Sequence, residues 1–310
     1  MGYFLTRMNT TSIYRRLATV AAVAGLLLGI GSPVSLRAAD FPPLNAPATH
    51  ESHPGKFVWA ELFTADAAAA AKFYSGVFGW TAVTLEQHGV AYTVLSNGAH
   101  PVAGLRQRGP AASPRASRWI NYIAVADLTT ALALVTKAGG EIRAPAREFP
   151  QLGSQAIFTD KEGSPVGLVQ SASGDSAEDE PAPGAWNWFH LFVKDPLAAA
   201  DFYRQIFSYE VAPDGRIGKG SELLLSSGSF NRGGVSALPD RAEAKPGWLG
   251  VIRVASLDET LARVASLGGE VVVAPHEAAL GSRFAIIADP TGGSVGVVEY
   301  VNHANPINQP

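Results

Sequence analysis

The sequence predicts an α+β protein built from two tandem copies of one domain. Each copy is a pair of βαβββ units forming a curved mixed sheet around a pocket, with helices on the outer face. Three observations predict this: a pattern that recurs 129 residues further on, strand-like alternation that gives way to capped helices, and Gly-Gly pairs that end helices.

The repeat register carries most weight. Trp59-x-Glu61-x-Phe63-x-x-Asp66 returns as Trp188-x-His190-x-Phe192-x-x-Asp195, and Phe73-Tyr74 with Phe78 returns as Phe202-Tyr203 with Phe207. Trp119 returns as Trp248, Gly139-Gly140-Glu141 as Gly268-Gly269-Glu270, and Asp160 with Gly163 as Asp289 with Gly292. In the middle of each copy the offset drifts to 130, where Ser96 and Gly98 pair with Ser226 and Gly228. Domain one is expected over residues 56–171 and domain two over 185–302. A flexible tether is expected at 40–55, an exposed Pro-, Ser- and acid-rich linker at 172–184 and a tail at 303–310.

Within a copy, Phe57 to Thr64 alternates, which predicts a strand with Phe57, Trp59, Glu61 and Phe63 on one face. Asp66 follows as an N-cap, because its carboxylate can accept the free N–H groups of a helix running to Phe78. Asp195-Pro196 repeats the signal with Pro at the first helical position. Three short strands are expected near 80–87, 91–97 and 101–106, with Asn97-Gly98 as a tight turn. The unit then restarts with a strand from Trp119, a cap at Asp127 and a helix ended by Gly139-Gly140. In copy two, Ser256 and Glu259 have the spacing of a capping box. Two further strands and a last one, Pro165 to Gln170, complete the copy.

Composition narrows the function classes. With 47% hydrophobic and 16% charged residues the chain is globular with ample core. A net charge of −3 without a Lys/Arg run argues against nucleic acid as a partner, and the absence of cysteine excludes thiolate chemistry. Residues 1–39 have the layout of a secretory signal: Arg7, Arg15 and Arg16, then the apolar run Leu17 to Ile30, then Gly31-Ser32-Pro33. Ala38-Ala39 ends it with small residues, but position −3 is not small, so the segment reads as a cleaved signal or a retained N-terminal anchor. The expected location is periplasmic or extracellular, with contact to a membrane only through that segment. Tandem copies can pair within one chain, so a monomer is expected.

These residues resemble the vicinal-oxygen-chelate (VOC) superfamily, which holds glyoxalase I, bleomycin-resistance proteins and extradiol dioxygenases. The resemblance rests on Asp66, the Ala-rich helix with Phe73-Tyr74-x-x-x-Phe78-Gly79-Trp80, and the closing turns Asp160-Lys161-Glu162-Gly163-Ser164 and Asp289-Pro290-Thr291-Gly292-Gly293. It implies one divalent metal per catalytic domain, held by His or Glu/Gln on four strands. Carried onto this chain, good to about one residue, those positions fall on Trp59, Ala103, Asn121 and Gly167 in copy one, and on Trp188, Gly233, Gly250 and Gly296 in copy two. Such side chains are poor or impossible ligands, so neither a metal nor another cofactor is expected.

What remains on the predicted cup face is an aromatic wall with one ionisable group at the same depth. Copy one has Phe57, Trp59, Glu61 and Phe63, with Asn121 nearby, and copy two has Trp186, Trp188, His190 and Phe192. Burial would raise the pKa of Glu61 and lower that of His190, which would suit proton transfer; equally, both could be hydrogen-bonded structural groups. His50 and His53 lie in the tether, His303 in the tail, and His88, His100 and His276 near loops. The expected function is an exported glyoxalase/bleomycin resistance-like protein binding a small, partly apolar molecule in a metal-free pocket. The alternative is a VOC-type lyase, isomerase or dioxygenase using Glu61 or His190 as acid/base, or a relocated metal.

Overall fold

The computed structural model describes residues 41–87, 90–109, 116–215, 222–239, 245–278 and 281–300. The signal or anchor at 1–39, the tail at 303–310, His88 and His303 lie outside them. Domain one runs β1 (Phe57–Thr64), α1 (Ala67–Phe78), β2 (Thr81–Gln87), β3 (Val90–Asn97), β4 (His100–Gln107), β5 (Arg118–Ala124), α2 (Leu128–Ala138), β6 (Glu141–Phe149), β7 (Gly153–Thr159) and β8 (Pro165–Ser171). Domain two repeats the order: β9 (Trp186–Val193), α3 (Pro196–Phe207), β10 (Glu210–Pro213), β11 (Leu223–Ser227), β12 (Phe230–Ala237), β13 (Gly247–Arg253), α4 (Leu257–Ser266), β14 (Glu270–Ala278), β15 (Ser282–Ala288) and β16 (Ser294–Tyr300). Each domain is an eight-stranded mixed sheet, ordered β2-β3-β4-β1-β5-β8-β7-β6 and β10-β11-β12-β9-β13-β16-β15-β14. The α+β tandem architecture is the one the repeat predicts.

Local chemistry sets the helix boundaries. Asp66, Asp127 and Asp195 each accept the N–H of the residue three further on, and Ser256 accepts that of Glu259. Gly79 and Gly139 end their helices in the left-handed region, at φ 75° and 90°, where a side chain would be strained.

The helices lie on the convex face of each sheet, and the two convex faces meet. Packing crosses between copies. One core joins the second half of domain one (Ile123, Val135, Phe158) to the first half of domain two (Leu191, Phe202, Tyr203), and Phe57 stacks on Phe189 at 4.2 Å. The other joins Leu62, Phe73 and Tyr74 to Ile252, Val264 and Ile287.

Two matching hydrogen-bond chains lock this arrangement. Tyr74 Oη donates to Asp289 Oδ2 across the interface (2.9 Å) and accepts from Trp119 Nε1 (2.9 Å). Tyr203 Oη donates to Asp160 Oδ2 (3.0 Å) and accepts from Trp248 Nε1 (2.9 Å). Burial, then the neighbouring aspartate charge, holds both phenols protonated well above their ordinary range. The tyrosine, tryptophan and closing-turn aspartate that made the repeat legible are thus the interdomain lock.

The tether and linker differ from expectation, because both are pinned. Phe41 and Leu44 are buried, Asn45 Nδ2 donates to Gly174 O (2.6 Å), and Thr49 Oγ1 donates to Asp175 O (2.6 Å). Lys56 Nζ donates to Ser176 O (2.8 Å) and pairs with Glu178 (3.2 Å), which also pairs with Arg232 (2.7 Å). Trp80 Nε1 reaches Gly184 O (2.8 Å). Side chains of both domains satisfy the linker backbone, so polar composition here does not mean a free strand.

Tyr74→Phe leaves Asp289 Oδ2 and Trp119 Nε1 without their buried partner. It is expected to lower unfolding free energy by about 2 kcal/mol, and Tyr203→Phe by a similar amount. Urea denaturation checks this, and unshifted midpoints in both variants would remove the lock from the account of stability.

Candidate functional site

Two β-bulges decide which residues reach the concave faces. Phe57 pairs with Ile123 and Trp59 with Tyr122, so Val58 is an extra residue and Phe57 turns to the convex face. In domain two Trp186 pairs with Ile252 and Trp188 with Val251, making Asn187 the extra residue and turning Trp186 away likewise. This corrects the alternation read from the sequence: Phe57 and Trp186 belong to the interdomain packing. Asn121 is corrected too, since it pairs with Ala60 on the convex face, where neither of its side-chain amide atoms has a hydrogen-bond partner among the described residues. Phe57, Trp186 and Trp188 do meet elsewhere, along a cavity of about 670 Å³ bordered by tether residues Leu44 to Pro47 and linker residues Ser176 to Ala182.

The concave face of domain one carries Trp59, Glu61, Phe63, Tyr92, Gly104, Arg106, Tyr122 and Gly167. Glu61, fully buried, is not the lone ionisable group the sequence suggests. Arg106 Nε donates to its Oε2 (2.7 Å) and Nη2 to its Oε1 (3.1 Å), a two-pronged contact. Tyr92 Oη donates to Oε1 (2.6 Å) and Tyr122 Oη to Oε2 (2.9 Å). Burial alone would lower the Arg106 pKa, but the Glu61 charge raises it above its ordinary value. Burial and the same charge raise both phenols. The tether completes the closure. Phe41 packs edge-on to Tyr92 (4.8 Å) and Phe149 (6.0 Å), leaving Trp59 only 1% exposed. This cup is filled by its own chain.

Domain two has the same scaffold with smaller fillings. The ladders place Val251 where Tyr122 stands (opposite Trp188 as Tyr122 is opposite Trp59) and Ala278 where Phe149 stands. They also place Ser236 at the Arg106 position, and Glu222 one step before Leu223, at the Tyr92 position. Tyr, Arg, Tyr and Phe thus become Glu, Ser, Val and Ala. Trp188 and Phe284 pack against Val251, Val298 and Tyr300 along one wall, and both stay partly exposed. His190 Nε2 is 2.7 Å from Ser236 Oγ, and its ring lies 4.7 Å from that of Phe192. Burial pulls the His190 pKa down to about 4 despite the opposing charge of Asp214, so the imidazole is neutral near pH 7. Gly234 is required here, because a Cβ would lie 2.6 Å from His190 Nδ1.

The inward-facing residues do not fit the family's divalent metal. Two carried-over positions shift by one residue, to Gly104 and Tyr122 in domain one and to Gly234 and Val251 in domain two. A side chain at Gly167 would strike the Tyr122 ring at 2.2 Å, and one at Gly296 the Phe284 ring at 2.8 Å. In domain one the carboxylate in reach, Glu61, is committed to an arginine.

The chain belongs to the Glyoxalase/Bleomycin resistance protein/Dioxygenase superfamily, whose model matches residues 56–168; a glyoxalase-like domain model matches residues 188–298. Among its relatives is the anthracycline biosynthesis protein DnrV of Streptomyces peucetius, 30% identical over 259 residues that cover 79% of this chain and 94% of that one. CFP32 of Mycobacterium tuberculosis is 28% identical over 260 residues, covering 82% and 98%. In fold the chain is similar to the Mn(II)-bound glyoxalase of Novosphingobium aromaticivorans (TM-score 0.58, 17% identity, covering 81% of this chain and 83% of that one). It is also similar to the 2,3-dioxygenase LapB of Pseudomonas sp. KL28 (TM-score 0.56, 14% identity, covering 84% and 96%).

Glu61→Gln keeps the shape but leaves Arg106 facing an uncharged partner. It is expected to cost about 3 kcal/mol of stability, read from urea unfolding, and an unchanged midpoint would show that the pair is idle. His190 gives a separate signature. The unfolded chain takes up a proton near pH 6.5 and the folded chain only near 4, so this contribution is intact above 6.5 and lost as pH falls toward 4. His190→Gln should flatten the pH dependence of stability in that window by up to about 3 kcal/mol, measured by denaturation at stepped pH.

Proposed function

We propose that this chain is an exported small-molecule-binding member of the superfamily, acting as a monomer with one metal-free ligand cup, in domain two. One observation carries the reading. At the positions where Tyr92, Arg106, Tyr122 and Phe149 fill the first cup, the second has Glu222, Ser236, Val251 and Ala278. An aromatic wall of Trp188, Phe192 and Phe284 with a few convergent polar groups is the usual make-up of a small-molecule site. Glu61 has both oxygens engaged by its own chain, and His190 is a neutral hydrogen-bonding group. The similarity to an anthracycline biosynthesis protein agrees with a small organic guest. Export rests on the N-terminal pattern of residues 1–39.

The acid/base alternative narrows to His190, because Glu61 is held by Arg106. Turnover of a bound guest, abolished by His190→Gln while binding persists, would favour it.

Screening small aromatic molecules by quenching of Trp fluorescence should find guests with a stoichiometry of one per chain. Trp188→Ala should weaken binding about tenfold or more and Trp59→Ala should leave it intact. Trp188 also borders the interdomain cavity, so Val251→Tyr supplies the discriminating arm: it refills the cup and leaves that cavity alone. Binding that survives Val251→Tyr would move the site out of the cup.

A further inference from the structure

Resting on the domain-two reading above, we infer that the cup selects an uncharged aromatic molecule carrying a hydrogen-bond donor, a phenolic hydroxyl or an aryl N–H, and that Glu222 is the residue that receives it. Three observations lead there. First, strand pairing puts Glu222 on the inward face. Leu223 is opposite Val235 and Leu224 opposite Gly234, so Glu222 continues the ladder opposite Ser236, beside the face that His190 occupies opposite Gly234. The backbone bond from Asp214 N to Glu222 O (2.8 Å) holds it there.

Second, Glu222 Oε2 is buried and accepts no hydrogen bond from the described residues. A buried carboxyl oxygen without a donor is costly, and binding a donor there recovers that cost. Its counterpart in domain one shows what the position is for. Tyr92 stands there and donates inward to Glu61, whereas in domain two the polarity is inverted: the acceptor is on the wall and the donor is missing. Burial and the nearby Asp214 also raise the Glu222 pKa, so the surroundings resist added negative charge.

Third, no cation among the described residues stands beside Glu222: Arg253, on the same face over the Tyr300 ring at the other end of the wall, is paired with Glu180 (2.5 Å). His190 and Ser236 satisfy each other at 2.7 Å, and no cationic side chain among the described residues replaces Arg106 at its position. An anionic guest would meet Glu222 and Asp214 with no counter-charge supplied by β9, β11 or β12 at this depth. An aromatic donor can lie against Trp188 and Phe192 and direct its O–H or N–H at Glu222.

Three probes of one shape test this by calorimetry on the full chain: 2-naphthol, which has the donor, 2-methoxynaphthalene, which lacks it, and 2-naphthoate, which is anionic. Naphthol is expected to bind about tenfold or more tighter than either of the others. Glu222→Leu should erase the advantage over the methoxy compound, and Glu222→Gln, which keeps shape and polarity, should chiefly relax the exclusion of naphthoate. Equal binding of all three, or a naphthol preference untouched by Glu222→Leu, would overturn the role of Glu222 while leaving a cup that binds aromatics. Failure of all three to bind would overturn the domain-two reading itself, and this inference with it.

Discussion

The fold depends on a short chain of buried polar contacts made twice: a tryptophan N–H to a tyrosine hydroxyl, and that hydroxyl to an aspartate of the other domain. The hydroxyl of Tyr74 donates to Asp289 and accepts from Trp119, and Tyr203 stands between Trp248 and Asp160 in the same way. Each chain joins a helix, a central strand and a closing turn. The aspartates also shape their own turns: Asp289 Oδ1 takes the N–H of Thr291 (2.6 Å) and of Gly293 (3.2 Å), and Asp160 Oδ1 those of Glu162 (3.0 Å) and Ser164 (2.9 Å). Because these contacts cross the interface, the two largest hydrophobic clusters are shared between domains.

With the convex faces fixed against each other, the concave faces are free to diverge, and they have. One is closed by a glutamate–arginine pair, two tyrosines and a piece of the tether. The other keeps its aromatic wall and a single imidazole held neutral by burial. A buried ion pair contributes little net stability against an apolar filling of equal volume, but removing one partner is expensive. The Glu61–Arg106 pair therefore resists change one residue at a time, while Val251, Ser236 and Ala278 are smaller than the residues they stand for.

Most of the fold was legible in the sequence, because caps, paired glycines and the 129-residue repeat are local or periodic signals. The sites were less so, for identifiable reasons. Alternation assigns a face by counting, and one bulge residue, Val58 or Asn187, inverts the count for Phe57 and Trp186. Asn121 missed the concave face by a single position for the same kind of reason. The partners of Glu61 come from three other strands, and nothing in their spacing ties Tyr92, Arg106 and Tyr122 to it before the pairing is known. The tether carries a signal of its own: Phe41 and Leu44 are apolar residues among its prolines, and both are buried. The offset of 130 also sets Tyr92 against Glu222, where the two cups differ.

The strap formed by Phe41 and Leu44 bears on symmetry. A pair of separate single-domain subunits would bring two amino-terminal ends, one to stopper each bowl, and the assembly would stay twofold. A fused chain has one such end. Here it is spent on the first bowl, while the stretch leading into the second copy is occupied in clasping both domains through Lys56, Glu178 and Arg232. Joining the copies end to end thus makes inequality between them a matter of connectivity, settled before any residue in either bowl is changed.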